Sequence, residues 1–594
     1  MTPEPPGPRS LSRTASPNRR LRAALVVVLF VMSLFVGRLV QLQGLDASAL
    51  AEDALGNRLV KTRLPALRGD IVDADGVVLA HTVERRDITV DQRLVPDYAV
   101  ESDGEVRTVG VAGAAKDLAP LLGMSEADLT EALRGREKFA YVAKNVTPEV
   151  WRQVAELDIP GVLSEHTSER IYPAGPVAGN LLGFISADGR PLAGLEMTRD
   201  GVLAGTDGTR RYERGGDGQM IPTGDRADVA PIPGGDVRLT LDRDLQWYAQ
   251  QAIAAQVAKS KAEWGQALVI EVETGRILAL AESPTVDPND PGAADAADRG
   301  SRALSEVIEP GSTAKVVTAA AALEEGLVTP LDRFEVPDRY TTDNGQAFKD
   351  SHSHPDEQLT FAGILGKSSN TGTVMVGSQM SPETRHDYLS RFGFGQPTGL
   401  GFPGETNGIL AAAEDWDGRQ QFTVLFGQGV AVNALQSAQV FATIANDGVR
   451  MTPRLVEGTT TPDGAWVAEP TGEQARVVST ETAQQVRTML EGAVSEQGTG
   501  ENAQIPGYRV AGKTGTAEAP SPRGGYSGYT GSFIGMAPAE DPKLVVAVIV
   551  QRPTNGYYGG TVAAPVFQDV MSYALQARKI PPSGEPADLY PLEY

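Results

Sequence analysis

The sequence predicts an α+β protein with one N-terminal transmembrane helix, a mixed domain, and a larger C-terminal domain built on an antiparallel sheet with helices. Two patterns lead to this prediction. Residues 23–43 form a nearly uninterrupted apolar run. Strand-like segments stand at both ends of the C-terminal half, with mostly helical segments between them. This arrangement indicates a sheet that distant parts of the chain close together.

Composition and charge exclude several functional classes. The chain has 594 residues, of which 41% are hydrophobic and 22% charged, which is typical of globular proteins rather than of disordered chains, collagens or coiled coils. It has no cysteine, so disulfides, thiol nucleophiles and cysteine-ligated metals are excluded. Its net charge of −23 argues against a nucleic-acid-binding surface.

The N-terminal segment predicts a membrane anchor. Residues 1–22 are expected to be a disordered cytoplasmic tail, and the apolar run 23–43 is long enough to cross about 30 Å of hydrocarbon. Arginines before the run place the N-terminus in the cytoplasm and the rest of the chain outside. A cleaved signal peptide and a buried core helix are the alternatives. The triplet Ala47-Ser48-Ala49 resembles a cleavage site, but it lies farther beyond the run than such sites usually do.

The segments outside the membrane are divided by a breaker cluster, Pro231-Ile-Pro-Gly-Gly235. We therefore expect one domain over 44–233 and a second over 234–579. Residues 580–594 contain several prolines and are expected to be a C-terminal tail.

The second domain contains the clearest secondary-structure signals. We expect a strand over Asp236–Leu241 and an amphipathic helix over Asp244–Ala258. Two hairpins are predicted, the first from 267–272 and 276–281, the second from 532–536 and 544–550.

The histidines do not predict a metal site. His352 and His354 lie in a polar loop with Asp350 and Asp356, but no further His or Cys completes a set of four zinc ligands. We interpret this segment as a solvated loop and expect no metal and no cofactor. No G-x-S-x-G motif occurs, which argues against an α/β-hydrolase.

The segment Gly507–Thr514 satisfies the pattern of a phosphate-binding loop, G-x-x-x-x-G-K-[ST]. That loop requires a strand before it and a helix after it. Here Tyr508–Ala511 is itself strand-like, and Ala519–Gly525 cannot begin a helix. We therefore reject a nucleotide site.

Lys513 also belongs to a set of three motifs that explains it better than a phosphate-binding loop does. These are Ser312-Thr-Ala-Lys315, Ser368-Ser369-Asn370 and Lys513-Thr514-Gly515-Thr516. The S-x-x-K and K-T-G patterns each occur once in the chain. Alone, each motif has a structural explanation as a helix cap, a turn or a strand end, but the three in this order outside the membrane indicate an enzyme.

The context of the first motif predicts nucleophilic catalysis. Pro310-Gly311 interrupts the chain before Ser312, and a helix is expected over 316–325, so Ser312 lies at a helix N-terminus. Lys315, one turn later, can reach the hydroxyl and act as its base if it is partly neutral. Burial and a second cation, Lys513, would both lower its pKa.

The third motif predicts a substrate-binding strand edge. Gly515 removes a side chain where the substrate approaches, and Thr514 and Thr516 supply hydroxyl groups. Lys513 provides positive charge for a substrate carboxylate. Backbone N–H groups of Ser312 and Thr516 would form an oxyanion hole, so acyl transfer through a serine ester follows.

In these motifs the chain resembles the class B penicillin-binding proteins, specifically the division (septal) peptidoglycan transpeptidases. The resemblance covers nearly the whole chain, with Ser369 standing where the family pattern often has Asp. The segments that carry it outside the three motifs are Gly37–Gln43, Arg68–Gly76 (with Ala74 for the usual arginine), Arg170–Gly175, Gly194–Glu196, Glu309–Ser312, Phe392–Gly395 and Gly427–Gly429.

The resemblance implies an elongated pedestal domain over 44–233, of the penicillin-binding protein dimerisation type, and a transpeptidase domain of the penicillin-binding and serine β-lactamase type over 234–579. It implies cross-linking of peptidoglycan stem peptides: a D-Ala-D-Ala donor acylates Ser312, D-Ala leaves, and an amine of a neighbouring stem peptide resolves the ester. Ser368 and Asn370 would relay protons and orient the donor amide. β-Lactams would acylate the same serine.

The resemblance also implies a multi-span glycosyltransferase and other division proteins as partners, bound through the anchor and the pedestal. The alternatives are an elongation-type transpeptidase, a serine β-lactamase, a transmembrane β-lactam sensor, and a non-catalytic division scaffold. The chain lacks an E-x-x-L-N segment after Ser368, which argues against a β-lactamase. A cytoplasmic tail of about twenty residues, too short for a signalling domain, argues against a sensor.

Overall fold

The computed structural model describes residues 17–46, 56, 58–102, 104–213, 215, 221, 223–521 and 523–594. Most of the predicted tail, residues 1–16, lies outside these ranges, as does the triplet 47–49. The helix Pro17–Val40 includes residues 17–22, which we had assigned to the disordered tail. Proline is tolerated in the first turn of a helix, and arginine is a good helix former, so the helix begins before the apolar run.

This N-terminal helix has the properties of a membrane span. It continues through a short π-helical turn, Gln41–Leu45, and none of its residues is buried. The stretch Pro17–Leu45 is long and apolar enough to cross a membrane, and among the described residues it is the one helix that is. Arg38, near its end, donates a hydrogen bond to Gln41 at 2.8 Å.

The described residues of the first half of the chain form nine strands and several short helices. The strands are β1 Leu59–Leu64, β2 Ile71–Val72, β3 Val78–Val90, β4 Ala99–Ser102, β5 Glu105–Thr108, β6 Ala140–Val146, β7 Val162–Ile171, β8 Gly208–Glu213 and β9 Arg226–Val229. The helices are Gly110–Leu122, Glu126–Leu133, Pro148–Glu156, Gly179–Leu182, Gly194–Thr198 and Asp200–Leu203. The first three cover one end of the long strand β3, where Ile88 packs with Leu118 and Leu129 in a separate small core.

Three segments that carry the family resemblance meet at one buried carboxylate, Glu196. Arg68 donates to Glu196 from one side at 2.5 Å, and Arg170 donates from the other at 2.8 Å. The Tyr172 hydroxyl adds a third bond at 3.2 Å. Because Glu196 is fully buried, losing either arginine would leave its charge poorly compensated, so this network fixes how the segments around it pack.

The second half contains the remaining strands. They are β10 Val237–Leu239, β11 Trp264–Glu271, β12 Ile277–Ser283, β13 Arg333–Val336, β14 Arg339–Thr341, β15 Ala347–Lys349, β16 Glu357–Thr360, β17 Val449–Met451, β18 Val456–Thr460, β19 Trp466–Ala468, β20 Gln474–Arg476, β21 Ala511–Pro520, β22 Tyr526–Ala537 and β23 Leu544–Gln551. The main helices are Arg243–Ser260, Lys315–Glu324, Phe361–Gly366, Asn370–Gly377, Pro382–Arg391, Ala434–Ala445, Thr480–Val494 and Ala564–Ala577.

The central feature of this half is a five-stranded antiparallel sheet in the order β12-β11-β23-β22-β21. Both predicted hairpins are present, β11 with β12 and β22 with β23. They join through β11 and β23, where Leu268 pairs with Ala547, so distant parts of the chain do close one sheet. In the described part of the chain, β21 pairs with a strand on one side only, which leaves its other edge open.

The helix predicted over 244–258 is also present, as Arg243–Ser260, and the side chain of Asp242 accepts bonds from two backbone N–H groups of its first turn. The strand predicted over 236–241 is shorter, since β10 covers only Val237–Leu239. The prediction of strand structure over Tyr508–Ala511 was wrong, because β21 begins only at Ala511. Lys513 therefore lies inside a strand, which a phosphate-binding loop does not allow.

The predicted boundary near residue 233 does not separate two independent sheets. β10 pairs in parallel with β2 and antiparallel with β18, in a seven-stranded sheet that also contains β3, β6, β7 and β19. Strands from both halves thus share hydrogen bonds. The domain limits at 233 and 234 remain a prediction.

Residues 580–594 contain no helix or named strand, as expected of a tail, but their end is docked. Leu592 is buried, and its carbonyl accepts a hydrogen bond from the backbone of Thr360 at 3.1 Å. A methyl group added at Gly363 would overlap the same carbonyl, so the close approach requires glycine there. This contact lies at the start of the helix Phe361–Gly366.

Candidate active site

Ser312 lies in a tight turn that leads into a helix. Residues Gly311–Ala314 form one turn of 3-10 helix, which continues as the α-helix Lys315–Glu324. The turn is held by the Gly311 N–H, which donates to the Gly427 carbonyl at 3.0 Å. Gly311 adopts φ +55° and Gly427 adopts φ +79°, so both use the left-handed conformation that glycine permits. The side chain of Ser312 is half-buried, at the N-terminal end of the helix as predicted.

The open edge strand β21 packs against this turn. A methyl group placed on Gly515 would lie 3.1 Å from the Pro310 carbonyl oxygen and 3.1 Å from the side chain of Thr313, and it would overlap the Ser532 hydroxyl. Gly515 is therefore required for the strand to approach the turn. The nucleophile candidate and the third motif thus lie side by side.

Lys315 connects the first motif to the second. Its Nζ donates to the Ser368 carbonyl at 2.5 Å and lies 3.4 Å from the Ser368 hydroxyl. Only 1% of the residue is exposed, and this burial lowers the pKa of Lys315 to about 7, although the nearby carboxylate of Asp350 acts in the opposite direction. An amine with this pKa is partly neutral at physiological pH.

The three residues of the second motif point in different directions. Ser368 has φ +64°, which is uncommon for a residue other than glycine and holds its carbonyl and hydroxyl next to Lys315. Ser369 is buried and caps the helix Asn370–Gly377 by accepting a bond from the Gly372 N–H at 2.9 Å. The half-buried amide of Asn370 donates to the Lys349 carbonyl at 3.2 Å. Ser369 thus has a structural task, whereas Ser368 faces Lys315 and the amide of Asn370 contacts the backbone of Lys349.

Lys513 is fully buried beneath the edge strand. Its Nζ lies 3.3 Å from both the carbonyl and the hydroxyl oxygen of Thr514. The pKa of Lys513 lies well below its ordinary value, first because of burial and second because the charge of Lys315 opposes a second ammonium. The two amines therefore compete for positive charge, and a carboxylate bound beside them would favour the charged form.

The two threonines predicted to bind substrate already have protein partners. The Thr514 hydroxyl bonds to the Thr499 hydroxyl at 2.7 Å, and the Thr516 hydroxyl accepts a bond from the Gly559 N–H at 3.1 Å. Each hydroxyl can make a further bond, so these contacts orient the groups without saturating them. Thr499 and Gly559 are remote in sequence, and nothing in the sequence signalled them.

Asp350 is the main site-supporting residue that sequence reasoning missed. Its carboxylate is buried behind the second motif, where it accepts the hydroxyl hydrogen of Ser369 at 2.7 Å and the Thr371 N–H at 3.0 Å. The sequence showed it only as one of several acidic residues in a polar loop. The loop itself is less solvated than predicted, because the side chain of His354 is only 7% exposed and lies 3.1 Å from Asp350.

Replacing Gly427 by alanine tests whether the turn at Ser312 depends on close backbone contact. A methyl group there would overlap the Gly311 carbonyl and lie 2.7 Å from its nitrogen. We expect the variant to react with a fluorescent penicillin at least about tenfold more slowly, equivalent to about 1.4 kcal/mol. Gly401→Ala is the matched control, since Gly401 has φ +68° but open space around it. Equal rates for the two variants would contradict the prediction.

The comparisons with known proteins agree with this geometry. The family described as Penicillin binding protein transpeptidase domain matches residues 265–572, and the Penicillin-binding Protein dimerisation domain matches residues 63–239. The chain is 36% identical to Penicillin-binding protein PbpB of Mycolicibacterium smegmatis over 96% of this chain and 91% of the relative. It is 31% identical to Peptidoglycan D,D-transpeptidase FtsI of Escherichia coli K12, over 93% and 91%.

Among solved structures, the chain is similar to penicillin binding protein 3 of Mycobacterium tuberculosis complexed with ampicillin. The two share 32% sequence identity with a TM-score of 0.70, over 90% of this chain and all of the other. A peptidoglycan synthetase from Bifidobacterium adolescentis gives 35% identity and a TM-score of 0.73 over the same shares.

Proposed function

The chain belongs to the class B penicillin-binding proteins and is a peptidoglycan D,D-transpeptidase, and we propose that it forms its acyl-enzyme on Ser312. The observation that carries this proposal is that three elements lie next to one another. These are a half-buried hydroxyl at a helix start, the buried amine of Lys315, and the open edge of β21.

In the acylation step, the neutral amine of Lys315 accepts the proton of the Ser312 hydroxyl while the oxygen attacks the carbonyl carbon between the two D-Ala residues. The peptide bond breaks, an ester to Ser312 forms, and D-Ala leaves after its nitrogen receives a proton. An amine of a second stem peptide then attacks the ester, restores the serine and completes the cross-link. The N–H groups of Ser312 and Thr516 would hold the oxyanion, each contributing about 3 kcal/mol.

The donor peptide would bind along β21. An extended peptide can add to an open strand edge through backbone hydrogen bonds, and Gly515 leaves room for it. The terminal carboxylate would then lie near Lys513, Thr514 and Thr516. The carboxylate there favours protonation of Lys513. The resulting ion pair offsets the free-energy cost of burying the carboxylate and the ammonium group.

Ser368 and Asn370 would complete the site from the opposite side. The Ser368 hydroxyl lies 3.4 Å from Lys315 Nζ, close enough to pass a proton between the lysine and the leaving amine. Asn370, at the first position of its helix, would present its amide to the donor peptide bond. β-Lactams resemble the donor in offering a carboxylate and a reactive amide, and a relative has been solved with ampicillin. We expect them to acylate Ser312.

Incubating the purified full-length chain with a stem peptide ending in D-Ala-D-Ala and an amine acceptor tests this function directly. We expect release of D-Ala and, in mass spectra of stopped reactions, an added acyl group on the peptide that contains Ser312. Acylation of another residue, or no D-Ala release by a chain that penicillin labels, would contradict the proposal.

The cellular setting is also a proposal. Arg19, Arg20 and Arg22 precede the apolar part of the N-terminal helix, which favours a cytoplasmic N-terminus and an external catalytic domain. Every residue of this helix is exposed, so it is available to pack against helices of a division-type glycosyltransferase as well as lipid.

The relatives named PbpB and FtsI, and the resemblance of the motifs, favour a septal role over an elongation role. Imaging an N-terminally tagged chain would separate the two, since uniform lateral-wall fluorescence contradicts a septal role.

A further inference from the structure

His354 lies behind the second motif and makes contacts that its loop position did not suggest. Its Nε2 faces Asp350 Oδ2 at 3.1 Å, and its Nδ1 faces the Pro355 carbonyl oxygen at 2.7 Å. The side chain is 7% exposed, and that of Asp350 is 6% exposed. This histidine has no role in the chemistry proposed above.

The two contacts determine the protonation state of the ring. A carbonyl oxygen and a carboxylate oxygen are both acceptors, so each ring nitrogen must carry a hydrogen to bond them. Asp350 also accepts hydrogen bonds from the Ser369 hydroxyl and from the N–H groups of Asn370 and Thr371, so its oxygens act as acceptors towards the ring as well. The geometry therefore contains an imidazolium paired with a carboxylate.

This pair is connected to the catalytic groups through the second motif. Asp350 binds the first backbone N–H groups of the helix Asn370–Gly377, where a negative charge is favourable. It also holds the side chain of Ser369. The preceding residue, Ser368, supplies the carbonyl that accepts the bond from Lys315. A change in the charge or position of the Asp350 carboxylate would thus alter both the position of the second motif and the electrostatic potential at Lys315.

We propose that His354 is a positioning residue of the transpeptidase: as an imidazolium it offsets the charge of Asp350, which keeps the second motif in place beside a Lys315 that remains neutral. The inference rests on the proposed role of Lys315 as the base. Asp350 alone favours the ammonium form of Lys315, because an anion stabilises a nearby cation. The positive charge on His354 reduces that effect.

Other charged groups around His354 support its protonated form. Burial lowers its pKa, but the bonds to the Pro355 carbonyl and to Asp350, together with the charge of Glu357, outweigh burial and raise it above the ordinary value. The groups that face it are Asp350, Glu357 at 4.0 Å, and the ring of His352, whose centre is 5.7 Å away. Glu357 is itself 3.2 Å from Lys367, which also pairs with Glu593. When His354 loses its proton at high pH, the charge of Asp350 is unopposed and the pKa of Lys315 rises.

The test is the rate of acylation by a fluorescent penicillin as a function of pH, on the full-length chain in detergent. In the unmodified chain, we expect the rate to fall as the pH drops through about 7, where Lys315 becomes protonated. In His354→Ala and His354→Gln, we expect this midpoint to move up by about one pH unit, so the rate at pH 6 falls about tenfold. Glutamine can still donate a bond to Asp350, so the shared shift would identify the charge as the cause. His352→Ala is the matched control, because His352 is exposed and contacts only the edge of this network.

The possible outcomes separate this inference from the proposed function. A midpoint near 7 that does not move in the His354 variants, including a uniform loss of rate at every pH, would overturn the inference and leave Lys315 as the base. No acid midpoint in the unmodified chain would overturn both. A shift in both His354 variants but not in His352→Ala would support it.

Discussion

Replacing Ser312 by alanine is expected to abolish stable labelling by a fluorescent penicillin, with a loss of at least about 10³-fold. The hydroxyl is the atom that forms the ester, so no neighbouring group compensates for its removal. Gel fluorescence after a fixed incubation measures the effect. The fold should be unchanged, because Ser312 is half-buried and alanine fits a helix start.

Ser378→Ala is the matched control for this variant. The Ser378 hydroxyl bonds to the Val374 carbonyl at the far end of the helix Asn370–Gly377, so its loss should leave labelling intact. Persistent labelling of the Ser312 variant would refute the nucleophile assignment. Rapid loss of label from the unmodified chain would instead favour a β-lactamase. If the unlabelled Ser312 variant still supported division in cells depleted of the unmodified protein, the result would favour the non-catalytic scaffold.

Lys315 should be nearly as sensitive as Ser312, since a positioned general base contributes about 10²- to 10⁴-fold. Lys315→Met removes the amine, whereas Lys315→Arg keeps a positive charge that cannot be lost in the physiological range. We expect both variants to lose labelling to a similar degree, because the neutral form of the side chain does the work. Second-order rate constants for penicillin acylation measure the effect.

The pH dependence of the unmodified chain follows from the same residue. Burial lowers the pKa of Lys315 to about 7, so the active neutral form predominates above this pH and disappears below it. Reactivity should therefore rise with pH to a plateau. A Lys315→Arg variant that retained most of its reactivity would show that the side chain acts as a fixed charge rather than as a base.

The sequence predicted those elements whose signal lies within a few consecutive residues. The strands of the two hairpins are short segments of alternating or continuous apolar residues, and the N-terminal helix is a continuous apolar run. Each could therefore be recognised without knowing which element packs against it. The same holds for Ser312 and Lys315, whose spacing is one helical turn.

The features that were missed depend on contacts between remote segments. Asp350 supports Ser369 across a turn of the chain, and Thr499 meets Thr514 from a different element. The pairing of β10 with β2 is likewise non-local. No propensity or spacing in one sequence encodes such contacts. The hydroxyls of the third motif lie on the open edge strand β21, but their existing partners could not be foreseen from the sequence.

The sheet shared by the two halves has a practical consequence for producing this protein in soluble form. Cutting the chain near residue 233 would strip β10 of its parallel neighbour β2 and uncover Val237 and Leu239, which are now fully inaccessible to solvent. A bare strand edge with apolar side chains is prone to aggregate. The segment expressed for crystallisation should therefore begin ahead of β1 and omit only the membrane helix. Expressing the catalytic half alone should be avoided.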